Sequence, residues 1–283
     1  MRKLIINGDD LGLAVPVNEA IEEAHRSGIL TSASLMVGAG AASDAVERAK
    51  RLGSLRIGLH LVLVDGPAML PKRCIPDLVD EQGEFLPDPV LAGLRYFFKA
   101  DLRPQLEAEI RAQFRAFHNT GLPLDHLNGH KHMHLHPTIL ELILKIGQEF
   151  GLRAMRLPYE PPLRSWRASR RGLIRKIAGS SFLFPWTVFL KTRLKRAGIR
   201  HNDFVFGLSD TGHLDRELLL EILRHLPQGV TEIYCHPATR RCAEIDRTMP
   251  RYQHEQEFEA LTSHAVKQRL ATSGFKRIAF SEL

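Results

Sequence analysis

A chain of 283 residues with 44% hydrophobic content is long and apolar enough to build one large α/β domain or two smaller ones. No stretch approaches the ~18 apolar residues that span a bilayer, the start MRKLIINGDDLG matches no secretory signal, and three cysteines (Cys74, Cys235, Cys242) without a CxxC pair argue against a disulfide framework or a thiolate metal cage, so a reducing cytosol is expected. The formal net charge of +7 is local: residues 161–202 hold eleven Lys or Arg and no Asp or Glu, which leaves 28 basic against 32 acidic residues elsewhere and points that one segment at an anionic partner.

In chain order, short β-branched runs alternate with amphipathic helical stretches. Strands are expected at 3–7, 31–37, 55–62, 124–129, 153–157, 204–206, 231–235 and 277–280. Helices are expected at 15–26, 41–52, 89–99, 104–119, 137–150, 215–225 and 255–272, the first opening near Pro16 and stopping at Gly28. Residues 65–88, punctuated by Gly and Pro, read as a long loop over one face. Seven or eight mostly parallel strands of this kind predict a TIM-like (β/α) barrel, a single domain over 1–283 interrupted by a basic helical insertion at about 161–202.

The polar residues that break the pattern fall at the ends of strands. Asp9 and Asp10 follow LIING, His60 ends RIGLH, Asn128 ends LDHLN with His130 two residues on, Arg156 follows RAM, and His236 follows EIYC. In a (β/α) barrel these ends open onto one mouth, so residues distant in sequence converge there. Taken singly, each has a bland reading. Adjacent aspartates also cap turns and helices, and a lone histidine in an apolar strand is more often a hydrogen-bonded core residue than a ligand.

The run HKHMHLHP, 130–137, places a histidine at every second position. If extended, His126, Asn128, His130, His132, His134 and His136 share one face, yet His130 and His136 then lie roughly 20 Å apart and cannot share an ion. His130, nearest the strand exit, is the best ligand; His132 or His134 supports it or touches substrate, and His136 is a solvent or capping residue.

NGDDLG, IGLHLVL, LNGHKHMH and YCHPA, in this order over nearly the whole chain, resemble the YdjC-like carbohydrate deacetylase family. The resemblance implies a TIM-like barrel and a metal-dependent hydrolase that removes the N-acetyl group of an N-acetylglucosamine unit. It implies one divalent ion held by Asp10, His60 and His130, with Asp9 as general base and His236 as general acid. Asn128, Arg156 and His134 are assigned to substrate, Arg156 alternatively to orienting Asp9 or to a structural salt bridge. Two imidazoles and a carboxylate suit Zn2+ by softness, whereas the family resemblance points to Mg2+.

The insertion combines its Lys and Arg with FLFPWTVFL, an apolar run too short to cross a bilayer. It reads as an interfacial segment lying on an anionic membrane or as a basic helical hairpin packed on the barrel. With no recognised motif beside the charge, nucleic acid is not expected. Together with RLPYEP the insertion looks like the hopanoid-biosynthesis-associated branch of the family, HpnK, which implies a lipid-linked amino sugar. It also implies a cytoplasmic enzyme peripheral to the inner face of the membrane, with residues 163–197 touching the lipid. The alternatives are a deacetylase of soluble chito-oligosaccharides and, in a different class, a non-enzymatic sugar or lipid binding protein.

Overall fold

The computed structural model describes residues 2–283, apart from the side chains at 182 and 183. Seven strands form one sheet: β1 (Arg2–Leu11), β2 (Ser32–Leu35), β3 (Arg56–Leu61), β4 (Leu124–Gly129), β5 (Phe204–Phe206), β6 (Gly229–Cys235) and β7 (Phe275–Arg277). Every pairing is parallel, in the order β4-β3-β2-β1-β6-β5. β7 pairs with the first half of β1, Arg2 to Leu4, on the edge whose second half, Asn7 to Leu11, pairs with β2.

The expected barrel is thus a curled parallel sheet rather than a regular closed cylinder. Between β4 and β5 the strand expected at 153–157 is reduced to isolated bridges, Leu127 to Met155 and Ala154 to Arg200. The chain turns out of the sheet there because Leu157 and Pro158 lead straight into the insertion, and Asn202 ties Leu157 back through both its N–H and its carbonyl. The last strand lies at 275–277 instead of 277–280, and the helix expected over 255–272 breaks at Ser263 into His254–Thr262 and His264–Ala271. A short helix, Ala243–Thr248, follows β6 and was not expected.

Helices cover the sheet, so β1 is buried on both faces and reads as an unbroken apolar run, Leu4, Ile5 and Ile6. Leu4 and Ile6 face the helices and join the main core, whereas Ile5 faces inward and packs with Ala154, Ile278 and Phe280 in a separate small cluster. Period-two alternation then carries Asn7 and Asp9 to the same inner face as Ile5, above that plug.

Close packing of this inner face is set by one glycine. A Cβ at Gly58 of β3 would lie 2.5 to 2.6 Å from the ring of His126 on β4. That ring cannot retreat: it stacks on Phe280 with centroids 4.3 Å apart, its Nδ1–H donates to Asp125, and its Nε2 accepts from the Ser34 hydroxyl. Gly58→Ala should therefore destabilise the protein by about 1–3 kcal/mol through overpacking, read as a lower urea midpoint; an unchanged midpoint would refute this account of the interior.

The segment expected to be an insertion, 161–202, forms two helices, Pro162–Ser169 and Leu173–Arg196. Leu190 and Leu194 of the second are buried in the main core, and Trp186 packs partly against it. No helix among the described residues is long and apolar enough to cross a membrane. The long excursion 65–88 is held to the helix Arg103–Asn119, whose Glu109 accepts the Met69 and Leu70 N–H groups.

Candidate metal centre and active site

Adjacent residues of a strand point to opposite faces, so Asp9 and Asp10 should part company. A bulge prevents this. Between Gly8 and Leu11 the register of β1 slips against β2, where Gly8 faces Ala33 and Leu11 faces Leu35, so β1 carries one extra residue. Asp10 absorbs it in the left-handed region, φ 61, which an aspartate tolerates better than most residues. Both carboxylates consequently end inside the rim, 2% and 1% exposed.

Asp10 meets two imidazoles. His60 Nε2 lies 3.1 Å from Asp10 Oδ1, outside hydrogen-bond geometry, and His130 Nδ1 lies 3.2 Å from the same oxygen. One ligand atom from each of Asp10, His60 and His130 can be chosen so that all lie within 4.8 Å of one another. Asp10 Oδ2, His60 Nε2 and His130 Nε2 are buried and have no hydrogen-bond partner. Orphaned buried acceptors are costly, and His60 makes the case sharpest. Its Nδ1–H donates to Asn128 Oδ1 at 2.7 Å, which fixes the tautomer and turns the Nε2 lone pair toward the Asp10 oxygen. A carboxylate facing this nitrogen calls for positive charge between them: burial alone would lower the His60 imidazole, yet Asp10 and Asp9 raise it, so that a proton serves on Nε2 in the metal-free site, and the same donor set fits a divalent metal in its place. Burial by itself would raise the Asp10 carboxyl, but the His130 and His60 rings outweigh it and hold it well below the usual carboxylate range.

Asp9 is held from behind. Arg156 Nη1 donates to its Oδ2 at 2.6 Å and Nη2 to its Oδ1 at 2.8 Å, while Asn7 and Asn128 amides also donate to Oδ1. The guanidinium simultaneously pairs with Glu232 of β6 through Nε and Nη2. Burial would raise Asp9, yet the Arg156 charge prevails and keeps it ionised; Glu232 is raised by burial, with Arg156 opposing. Arg156→Met would leave two carboxylates uncompensated in the interior, and a loss of about 3–5 kcal/mol is expected, measured by chemical denaturation; a variant as stable as the parent would mean the trio is not the clamp described.

The histidine run does not extend as alternation suggested. β4 ends at Gly129, and Lys131 and His132 both take left-handed conformations, φ 47 and 58, inside a 3-10 turn over His130–Leu135. The four rings therefore part. His130 joins Asp10. His132 reaches the cavity and lies 3.2 Å from the Tyr234 hydroxyl. His134 folds back against Gly129, fully buried with Nε2 3.3 Å from the Arg156 carbonyl, and His136 Nε2–H donates to the Gly93 carbonyl.

A cavity of about 410 Å3 opens above the centre, lined by Asp9, His60, His130, His132, Tyr234 and His236 among others. Arg156, Asn128 and His134 are fully buried and none of them lines it. His236, just past β6, donates its backbone N–H to Glu257, whose Oε2 also lies 4.0 Å from the buried Nδ1 of the ring. Burial lowers the His236 imidazole to about 4 and that of His132 to about 3. Tyr234 and Glu232 were missed in the sequence; the signal was a charged and an aromatic residue at alternate positions of an otherwise apolar strand, TEIYC. A second cavity, also about 410 Å3, lies beneath the insertion helix and shares Leu208 and Thr211 with the first; Tyr159, Glu160 and Arg175 line it.

Fold and site together define an α/β protein with a candidate metal centre at the carboxyl-terminal rim of a curled parallel sheet. The chain belongs to the YdjC-like protein family, whose model matches residues 3–272. A carbohydrate deacetylase of Brevibacillus brevis is 31% identical over 99% of both chains, and one of Vibrio parahaemolyticus is 28% identical over 99% of this chain and 96% of its own. Among solved structures, an Enterococcus faecalis protein, a proposed cellobiose-phosphate cleavage protein, superposes with TM-score 0.73 at 24% identity, covering 99% of this chain and 98% of that one. That likeness speaks for the fold.

Proposed function

We infer that the protein is a carbohydrate deacetylase, an enzyme that hydrolyses the acetamido C–N bond of an N-acetylglucosamine unit to acetate and free amine. The observation that carries this reading is the meeting, at one cavity, of the Asp10–His60–His130 donor set with Asp9 and His236, in a chain related end to end to named carbohydrate deacetylases.

Asp10, His60 and His130 would hold one divalent ion, Zn2+ or Mg2+, which when bound polarises the acetyl carbonyl and acidifies a water. Asp9, at the cavity wall, takes the proton of the attacking water. With four donors around it Asp9 is a weak base, which would suit a water acidified by the ion better than bulk water. His236 stands at the cavity wall, its Nδ1 4.0 Å from Glu257 Oε2. A proton placed on so reluctant an imidazole is readily given up to the departing amine. Arg156 and Asn128 position Asp9 and His60, and His134 supports the turn beneath them, so in this reading the three act behind the substrate rather than on it. His132, kept neutral by burial, and Tyr234 shape the wall.

For the rest of the substrate, the adjoining cavity under the insertion favours an extended molecule, and exposed Ile174, Ile177, Phe184, Val188 and Phe189 among the basic residues favour a lipid-linked one presented at an anionic bilayer. The chain is then a single deacetylase domain, 1–283, with 161–202 as the insertion that brings a cytoplasmic enzyme to the inner face of the membrane, in the manner of the hopanoid-associated branch. Acetate release should be measured from free chito-oligosaccharides and from lipid-linked N-acetylglucosaminides side by side. Equal rates on both would end the lipid reading, and no acetate from either would end the deacetylase reading.

A further inference from the structure

The helix Pro89–Phe98, PVLAGLRYFF, carries a single charged residue. Asp88 caps it, accepting the Val90 and Leu91 N–H groups, so the helix is well started and its faces are defined. Ala92 and Tyr96 turn inward and are buried. The opposite face, Val90, Leu91, Leu94, Phe97 and Phe98, is exposed, with Val90 at 69% and Phe98 at 74%. These positions repeat at helical spacing, so they form one continuous apolar stripe directed at solvent. A helix apolar on both sides belongs in a core or in lipid, and an uncovered patch of this kind marks an interaction surface.

Its place in the fold is informative. The helix lies in the excursion that follows β3, and Pro89 at its start lines the site cavity alongside His60 and His130. The insertion is the excursion that follows residues 154–156, and its cavity shares Leu208 and Thr211 with the same site. In a parallel sheet both excursions leave from one rim. Two helices with outward apolar side chains thus flank the mouth, and one of them belongs to a segment with eleven Lys or Arg and no acidic residue. The charge of that one segment selects the occupant: a surface at once apolar and anionic, which an acidic phospholipid bilayer provides, whereas a second copy docked by the same face would bring its own basic segment against this one.

We propose that the stripe of helix 89–98 inserts into an anionic bilayer as a second anchor beside the basic insertion, so that the mouth of the site opens onto the lipid surface. The proposal rests on the bilayer-facing reading above and adds an element to it. The test uses the full chain and vesicles of phosphatidylglycerol and phosphatidylcholine, comparing wild type with Leu94→Gln/Phe98→Gln, which keeps every charge and touches no residue of the site.

The variant should bind vesicles about a hundredfold more weakly, each large apolar side chain contributing roughly tenfold when buried, with the same dependence on salt and unchanged acetate release from a free oligosaccharide. If wild type ignores the vesicles at low salt, the bilayer-facing reading falls and this one with it. If wild type binds and the variant binds equally, the stripe alone is refuted. If wild type instead sediments as a dimer that the double substitution dissolves, with vesicle binding unaffected, the face is a contact between copies and the proposal is overturned.

Discussion

Asp9→Asn is expected to lower kcat for acetate release by about 10²–10⁴, the range a positioned general base contributes, with KM little changed and the fold intact. The second half of that expectation follows from charge. Arg156 lies between Asp9 and Glu232, two anions around one cation. Neutralising Asp9 leaves Arg156 with Glu232, a balanced pair, whereas removing Arg156 leaves two buried anions. Asn keeps the shape and one acceptor for the guanidinium. Acetate release and a thermal melt, taken on the same preparation, separate chemistry from stability. Undiminished turnover in the variant would remove Asp9 from the mechanism, and loss of turnover together with collapse of the melt would show that its part is structural.

Stripping divalent metal with a chelator should abolish acetate release and lower the melting temperature, and readdition should restore both. Three buried ligand atoms without partners lie at the centre, so an ion that binds the folded protein and not the unfolded chain stabilises it, by about 2.7 kcal/mol at a hundred times its dissociation constant. Binding also requires neutral imidazoles and an ionised carboxylate, so affinity should fall toward acid pH and protons should be released on binding. Calorimetry in two buffers of different ionisation enthalpy counts them. His60→Ala should remove the stabilisation by metal, its metal-free melt lying below that of the parent by the cost of the lost buried ring and its hydrogen bond to Asn128. A chelated protein with full activity and an unshifted melt would refute the centre.

Much of this architecture was legible from apolar periodicity, since a parallel strand buried on both faces reads as a short continuous run, and β1, β3, β4 and β6 fall where LIIN, RIGLHL, LDHLNG and TEIYC do. The polar residue at the end of each run marked the rim. The strand at 153–157 was less legible because its run, RAMRL, holds a short apolar core closed by a charged residue much as its neighbours do, while the pairing it finds amounts to single bridges. The outward face of Leu94 and Phe98 leaves no mark of its own in the sequence, because composition says that a helix is apolar without saying which side the protein covers.

The chain by itself therefore determined the order of strands and helices, the segment that carries the positive charge, and the carboxylate and imidazoles available at one rim, because these depend on local pattern and on the common direction of parallel strands. The tertiary structure decided how they meet. A one-residue slip of β1 against β2 turns Asp10 inward beside Asp9, and two left-handed residues after Gly129 send four evenly spaced histidines to four different surroundings. Both effects arise from register and backbone angle, which are set by the partner strand and the packed neighbours and leave no periodic mark in the residues that undergo them.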